Sequence, residues 1–533
     1  MYHLLALPPE LLENIVADVD RREDVLSLAL SCRYLHSLVP PSLLQYRDIR
    51  CRLGKSALWD HLASDDLHAG LLRSLTIMPD RCGISIDSGL RDNLPREERV
   101  PDEYREPTSD EATREPYRKP GMWATWQAEE RLIHTLKRLP NLRRFRWFRT
   151  PADTVPNPGH SDVWETVNAL GTVQELHVLD FAGKWSPWML LAPAGDPSSS
   201  LLFFPGLTSF NLKGYPFQGE EQRLPDATPL LHMLVDNCPD LQSLTLDLGM
   251  EIYARTVCAD LLLRPPGWPN LHTLYLDWFH CTSSTLSTFL ASHPSLKDIR
   301  LSRKMPGYDW TNVVLQDGAL PNLRRLECSS HTAAALLKNP RAANGLVSLR
   351  GVNLEDELIV DKYFNPGRSD AWWIVHTNDR LDLKTWRASP WKAQLLEGIR
   401  LHPLITSVWL GTASSNVPKT HVMELATVAP QITELSLPHD PPNPLDESEW
   451  IDTLSHFPNL KYLRWCALIP LIRTFGHGRG RREAEQICAV DDSWRMAVII
   501  DRNEDGQIKW VFRRKGDSLE HVLLEPDETI YTA

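Results

Sequence analysis

Cys238-Pro-Asp-Leu-Gln-Ser-Leu-Thr-Leu246 holds the pattern that decides the fold. Its apolar anchors Leu241, Leu244 and Leu246 stand at the first, fourth and sixth positions. The fourth and sixth alternate along a short strand, so both point to one face. A proline two residues before the first anchor stops a preceding helix and sets an extended approach. The triplet recurs as Leu142, Phe145 and Trp147 behind Pro140, and as Leu207, Phe210 and Leu212. It returns at Leu271, Leu274 and Leu276, at Leu296, Ile299 and Leu301, and at Leu323, Leu326 and Cys328. Three later copies are Ile405, Val408 and Leu410; Ile432, Leu435 and Leu437; and Leu460, Leu463 and Trp465. Val173, Leu176 and Val178, like Leu349, Val352 and Leu354, keep the triplet without the proline, and Leu72, Leu75 and Ile77 read as an earlier copy.

Successive first anchors lie 31, 34, 34, 30, 25, 27, 26, 56, 27 and 28 residues apart. A period of about 20–35 around this core is that of leucine-rich repeats. The gap of 56 hides either a degenerate repeat or an insertion. Helical segments lie between triplets, among them Leu230–Val235, Leu286–Leu290 and Trp450–Leu454. One strand and one helix per repeat predict an α/β fold: a curved solenoid with a parallel β-sheet on its concave face. No asparagine follows eight residues after the first anchor, where Thr150, Phe181, Tyr215, Gly249 and Phe279 stand, so the repeats are irregular. Side chains between the anchors face the concave side. Arg144, Arg146, Tyr275, Asp277, Arg300, Trp409, Tyr462 and Arg464 are the candidates for binding a protein substrate there, a polar set with some aromatics that suits a protein surface.

The first 40 residues follow a different rule. Leu7-Pro8-Pro9-Glu10 opens a helix, since proline fits the first turn and Glu10 the positive end of the dipole. Leu11, Leu12, Ile15, Val16 and Val19 continue it at helical spacing. Asp24 is placed to cap a second helix carrying Val25, Leu26, Leu28, Ala29 and Leu30, and Pro40-Pro41 ends the unit. So short a unit has too little core to stand alone, and leftover apolar surface calls for a partner or a neighbouring domain.

Leu7-Pro8-x-Glu10-Leu11-Leu12-x-x-Ile15, followed by Leu28-x-Leu30-Ser31-Cys32-Arg33-Tyr34-Leu35, resembles an F-box, with Leu35 where that family often has tryptophan. The repeats resemble the leucine-rich-repeat class of F-box proteins. The resemblance implies a Skp-type adaptor bound through Leu7, Pro8, Leu11, Ile15, Leu28 and Leu35, and through it a cullin–RING ligase. It implies a non-catalytic substrate-recognition subunit of an SCF-type E3 ubiquitin ligase. The alternatives are a protein-interaction scaffold without ligase function and, for the helices alone, a cap on the solenoid's open end.

Three regions result: residues 1–45 as the F-box, 46–472 as the solenoid, and 473–533 as a linker and a β-hairpin tail. The solenoid carries a charged, proline-rich insertion at 87–121, expected to be loosely ordered, and a tryptophan-rich one at 361–396 holding Trp372, Trp373, Trp386 and Trp391. The tail places a turn at Asp505-Gly506 between two β-rich runs. Its acidic residues do not make a calcium loop, because Phe512 stands where the closing Glu is needed.

The bulk numbers agree with this reading. The chain has 533 residues, 42% hydrophobic and 24% charged, with net charge −12. That balance supports a large core and disfavours a nucleic-acid or anionic-membrane surface. Nine cysteines form no CxxC pair, so neither a zinc site nor a disulfide framework is expected. Phosphate-loop, serine-hydrolase, zinc-protease and dinucleotide motifs are missing, so the expectation is no enzyme, no cofactor and no metal. With no signal-peptide pattern at the start and no long apolar run, the expected compartment is the cytoplasm, the nucleus or both.

Overall fold

The structure is a computed structural model that describes residues 5, 7–78, 98–105, 122–149, 163–180, 203–214, 228–247, 257–264, 267–277, 279–301, 312–354, 357–358, 386–387, 390–411, 419–437, 453–454, 456–465, 497–502, 508–513, 522–525 and 528–532. It divides into two compact units, Met1–Cys281 and Thr282–Ala533.

The first unit opens with four short helices: α1 (Pro9–Asp18), α2 (Arg22–Ser31), α3 (Arg33–Leu38) and α4 (Pro41–Tyr46). Prolines begin α1 and α4, as their fixed φ favours. The Pro8 carbonyl accepts from the N–H groups of Leu11 and Leu12, each at 3.1 Å. The Cys32 thiol caps α3, accepting from the Leu35 N–H at 3.5 Å. Asp24 does not cap α2. It sits inside the first turn behind Arg21, where its charge still complements the helix dipole. Val16, Val25, Ala29, Val39 and Leu43 form the small core of these helices.

Strand follows helix from there: β1 (Asp48–Arg52), α5 (Ser56–Ser64), α6 (Asp66–Leu71), β2 (Ser74–Met78), α7 (Met122–Leu136), β3 (Arg144–Arg149), α8 (Val163–Ala169), β4 (Glu175–Asp180) and β5 (Ser209–Gly214). Then come α9 (Thr228–His232), running into a π turn at Met233–Asn237, β6 (Ser243–Asp247), β7 (Val257–Cys258), β8 (Thr273–Asp277) and β9 (Phe279–His280). Strands β1 to β6 and then β8 pair side by side, all parallel. The register carries Ile49, Leu75, Phe145, Leu176, Phe210, Leu244 and Leu274 into one row, each 0% exposed. Cys51, Ile77, Trp147, Val178, Leu212, Leu246 and Leu276 make a second buried row two residues on. β7 and β9 form a separate parallel pair. Part of the expected insertion at 87–121 packs closely instead of lying loose: Arg99 and Arg50 exchange backbone hydrogen bonds of 2.7 and 2.8 Å, and Val100 is buried. Residues 79–97 and 106–121 lie outside the described residues.

The second unit repeats the design. Its elements are α10 (Ser283–Ser292), β10 (Asp298–Leu301), β11 (Arg325–Glu327), α11 (Ser330–Leu336), β12 (Ser348–Val352), β13 (Glu357–Leu358), β14 (Trp386–Arg387), α12 (Pro390–Leu401), β15 (Ser407–Leu410), α13 (Lys419–Val428), β16 (Glu434–Leu437) and β17 (Tyr462–Trp465). Thr282 and Ser329 cap α10 and α11 with their hydroxyls, as serine and threonine do best. β10, β11, β12, β15, β16 and β17 form a parallel ladder. The gap of 56 is therefore an insertion, because β12 pairs directly with β15. The register shifts between Arg350 and Val352, at Gly351, whose φ of 77° suits glycine. A Cβ on the neighbouring Gly411 would lie 2.9 Å from the Gly351 carbonyl oxygen. Within the insertion, β13 and β14 pair antiparallel, and Trp391 packs edge-on against His331 at 5.0 Å. Trp372 and Trp373 lie outside the described residues, as does Trp450 from the expected helix there.

The tail supplies β18 (Ala497–Arg502), β19 (Ile508–Arg513), β20 (Val522–Glu525) and β21 (Glu528–Thr532). β18 pairs antiparallel with β17, and β19, β20 and β21 follow in antiparallel order. β18 and β19 match the expected hairpin, although the turn at Asp505-Gly506 lies outside the described residues. β20 and β21 were not legible in the sequence.

Phe210→Ala empties a position in the first buried row and should destabilise the protein by about 3–5 kcal/mol in chemical denaturation. Asn211→Ala, on the opposite face of the same strand, should change it by no more than about 0.5 kcal/mol.

Candidate functional site

Helix α1 carries apolar side chains on two stripes. Leu12 and Val16 face inward at 1% and 2% exposure, while Leu11 and Ile15 face outward at 49% and 39%. Each pair is one helical turn apart. In α2, Val25 and Ala29 are buried and Leu30 is 72% exposed. Tyr34 in α3 is 40% exposed. Among the six residues expected to meet an adaptor, Pro8, Leu11 and Ile15 are exposed, and Leu7 and Leu28 are half-buried, Leu28 against the helical core. Leu35 is corrected: at 4% exposure it is a core residue. α3 starts at Arg33 under its Cys32 cap, and that phase turns position 35 inward and gives Tyr34 the outward place.

Buried arginine ties these helices to the ladder. The Arg47 guanidinium, 1% exposed, donates to the carbonyls of Val19 and, at 3.4 Å, Leu71. Burial and then the neighbouring Arg73 push its pKa down to about 10, which leaves it charged at neutral pH. Arg143 donates to the Asp20 carboxylate and Arg144 to the Asp20 carbonyl, each at 2.9 Å. Arg144, expected on the substrate face, thus has a structural partner in the loop after α1.

The ladder face opposite the leucine rows is polar. In the first unit one row reads Arg50, Thr76, Arg146, His177, Asn211, Thr245 and Tyr275. Burial lowers the pKa of Arg146, opposed by the charges of Asp48 and Glu175. Burial, then Arg146 and Lys213, bring His177 down to about 3, so it is neutral at pH 7. The Tyr275 hydroxyl donates toward Asp277 at 3.2 Å and Asp247 at 3.4 Å, and Lys213 lies 5.6 Å from its ring centre. Burial alone raises the Asp48 pKa, but the Arg50 guanidinium, a hydrogen bond from Ser74 and Arg99 outweigh it and hold the carboxyl below its ordinary value.

In the second unit the corresponding row reads Arg300, Glu327, Arg350, Trp409, Ser436 and Arg464. Arg300 pairs with the buried Glu327 at 2.6 Å. The Arg350 guanidinium stacks 3.7 Å above the centre of the Trp409 ring, a cation–π contact. The Ser407 hydroxyl donates to Glu434 at 2.8 Å. Tyr462 stands opposite Glu434 in the register. The expected substrate residues therefore divide into two sets: Arg144, Arg146, Tyr275 and Asp277 in one unit, and Arg300, Trp409, Tyr462 and Arg464 in the other.

A third grouping escaped sequence reasoning, although His61-x-x-x-Asp65-x-x-His68 spells it out. Asp65 caps α6, its Oδ1 accepting from the N–H groups of Leu67 at 3.0 Å and His68 at 3.1 Å. Its Oδ2 lies 2.6 Å from His68 Nδ1. Tyr46 lies 3.1 Å from His61 Nε2 and donates its hydroxyl proton to Glu103. Burial and that bond to Glu103 raise the Tyr46 pKa far above its usual value.

No family model matches the chain, and no curated protein matches it significantly. Among the described residues, no helix is long and apolar enough to cross a membrane.

A carboxyl depressed in the folded state stabilises fully above its unfolded pKa, and that contribution is lost as pH falls through the folded value. Asp48→Asn should accordingly be less stable than the wild type at pH 7. The gap should close as pH drops below about 4, in thermal melts across a pH series.

Proposed function

We propose that this chain is a substrate-recognition subunit of an SCF-type (Skp–cullin–F-box) E3 ubiquitin ligase. The observation that carries the proposal is the outward apolar set of Leu11, Ile15, Leu30 and Tyr34 on helices whose other side already has its own core. Large apolar side chains left in water on so small a module fit a docking role. Fully burying an exposed side chain of this size contributes about 1.5–3 kcal/mol before ordering costs, and these four, already partly covered, contribute less each.

The strand ladders then serve as a scaffold for a protein substrate. Arg146, Tyr275 and Asp277 in one unit, and Arg300, Trp409, Tyr462 and Arg464 in the other, are the proposed contact residues. The Arg350–Trp409 stack is a preformed, rigid contact of the kind that anchors protein interfaces. In this reading the chain performs no chemistry. It raises the effective concentration of substrate lysines beside the ubiquitin-charged enzyme.

Co-purification with a Skp-type adaptor tests the reading. The full chain should capture the adaptor. Leu11→Glu/Ile15→Glu should abolish capture while leaving the melting midpoint within about 2 °C, because both sites are exposed. Failure of the wild type to capture any such adaptor overturns the ligase role and leaves an interaction scaffold.

A further inference from the structure

We propose that His61, Asp65 and His68 form a binding site for a divalent transition-metal ion of the zinc type. The proposal stands apart from the ligase reading, since it concerns the junction of α5 and α6.

The donor set is chemically apt. One ring nitrogen of each histidine and a carboxylate oxygen of Asp65 lie within 4.8 Å of one another. Two borderline imidazole nitrogens beside one carboxylate oxygen suit zinc and its first-row neighbours, whereas calcium and magnesium take oxygen ligands. Metal–ligand bonds of about 2.0–2.2 Å place tetrahedral ligand atoms roughly 3.4 Å apart, so the Asp65–His68 pair would open from 2.6 Å while the wider separations, up to 4.8 Å, would close, movements of the size that side-chain rotation gives. Three protein ligands leave a fourth position for water. All three residues are partly exposed, so an ion can reach them.

The backbone has already organised the site. His61 sits in the last turn of α5, Asp65 is the residue between the helices, and His68 is in the first turn of α6. Capping fixes Asp65 through Oδ1 and aims Oδ2 at His68. The rings of His61 and His68 lie 5.2 Å apart, and Tyr46 packs 4.3 Å from His68. Tyr46 spends its only proton on Glu103, so its oxygen accepts from His61 Nε2–H. The other nitrogen of His61 then carries the lone pair. A ligating histidine whose second nitrogen donates to an oxygen is the usual outer arrangement of a metal site.

The Asp65–His68 hydrogen bond holds two of the three groups, and the Tyr46 hydroxyl holds His61 beside them. A divalent ion would replace the proton now shared by His68 and Asp65. The neutral His68 ring keeps one proton by moving it to Nε2, and the ion gains the carboxylate, both imidazoles and a water.

The test uses the full chain, stripped with EDTA and desalted, then titrated with Co2+ and followed by its visible d–d absorption, with Zn2+ as competitor. Nine cysteines and nineteen histidines offer other sites, so the reading is the difference between proteins. His61→Ala/His68→Ala should bind one equivalent less than the wild type. Asp65→Asn keeps an oxygen able to cap α6 and should weaken that same equivalent by about ten-fold or more. Circular dichroism in EDTA should be unchanged for Asp65→Asn, which decides the matter if the double variant misfolds. Equal stoichiometry and affinity in wild type and variants, or no uptake by the wild type, overturns the site.

Discussion

Within each unit, successive repeats are joined by a single backbone carbonyl that accepts two N–H groups. The Arg73 carbonyl receives Arg143 and Arg144, the Arg143 carbonyl Gln174 and Glu175, and the Gln174 carbonyl Thr208 and Ser209. In the second unit Lys297 receives Arg324 and Arg325, Arg324 receives Val347 and Ser348, Val347 receives Thr406 and Ser407, and Thr406 receives Thr433 and Glu434. These forks fix where the strands that follow them begin. Strands of three to six residues have no independent stability, so the register they inherit is what stacks the leucine rows. It also decides which side chains appear on the opposite face, because a slip of one residue would turn every anchor outward.

The same ladder holds the N-terminal helices. Arg47, Arg143 and Arg144 precede or open strands β1 and β3, and they bind backbone and carboxylate at the end of α1. Three of the chain's cations near the first strands are thus committed to holding the module. The proposed division of labour follows: an apolar stripe for an adaptor, and a polar, in-register strand face for a substrate.

Much of the fold was legible because leucine spacing is a direct consequence of strand geometry. The fourth anchors of the triplets from Leu75 to Leu463 fall into one register within each ladder, with one exception: Leu349, read as a first anchor, pairs with the fourth anchors Leu326 and Val408, so the buried Leu346 is the first anchor of that repeat. β1 was missed because Asp48, Arg50 and Arg52 alternate with Ile49 and Cys51, and a cysteine stands where the other copies place a larger residue. The insertion before β15 was left undecided in the sequence, since spacing alone cannot say whether a strand is skipped. Only the Gly351 bulge and the direct β12–β15 pairing resolve it. Site residues were less legible. Leu35 and Arg144 have the right chemistry for a surface, yet helix phase and the Asp20 contact put both to structural use. The His61, Asp65 and His68 grouping was overlooked because its spacing spans a helix junction and contains no cysteine.

Hydrogen–deuterium exchange of the full chain, alone and with a Skp-type adaptor, tests the central claim most directly. The account predicts new protection confined to peptides covering α1, α2 and α3, with the leucine-row strands unchanged. Protection on the strand faces with none on those helices, or no change anywhere, would contradict it.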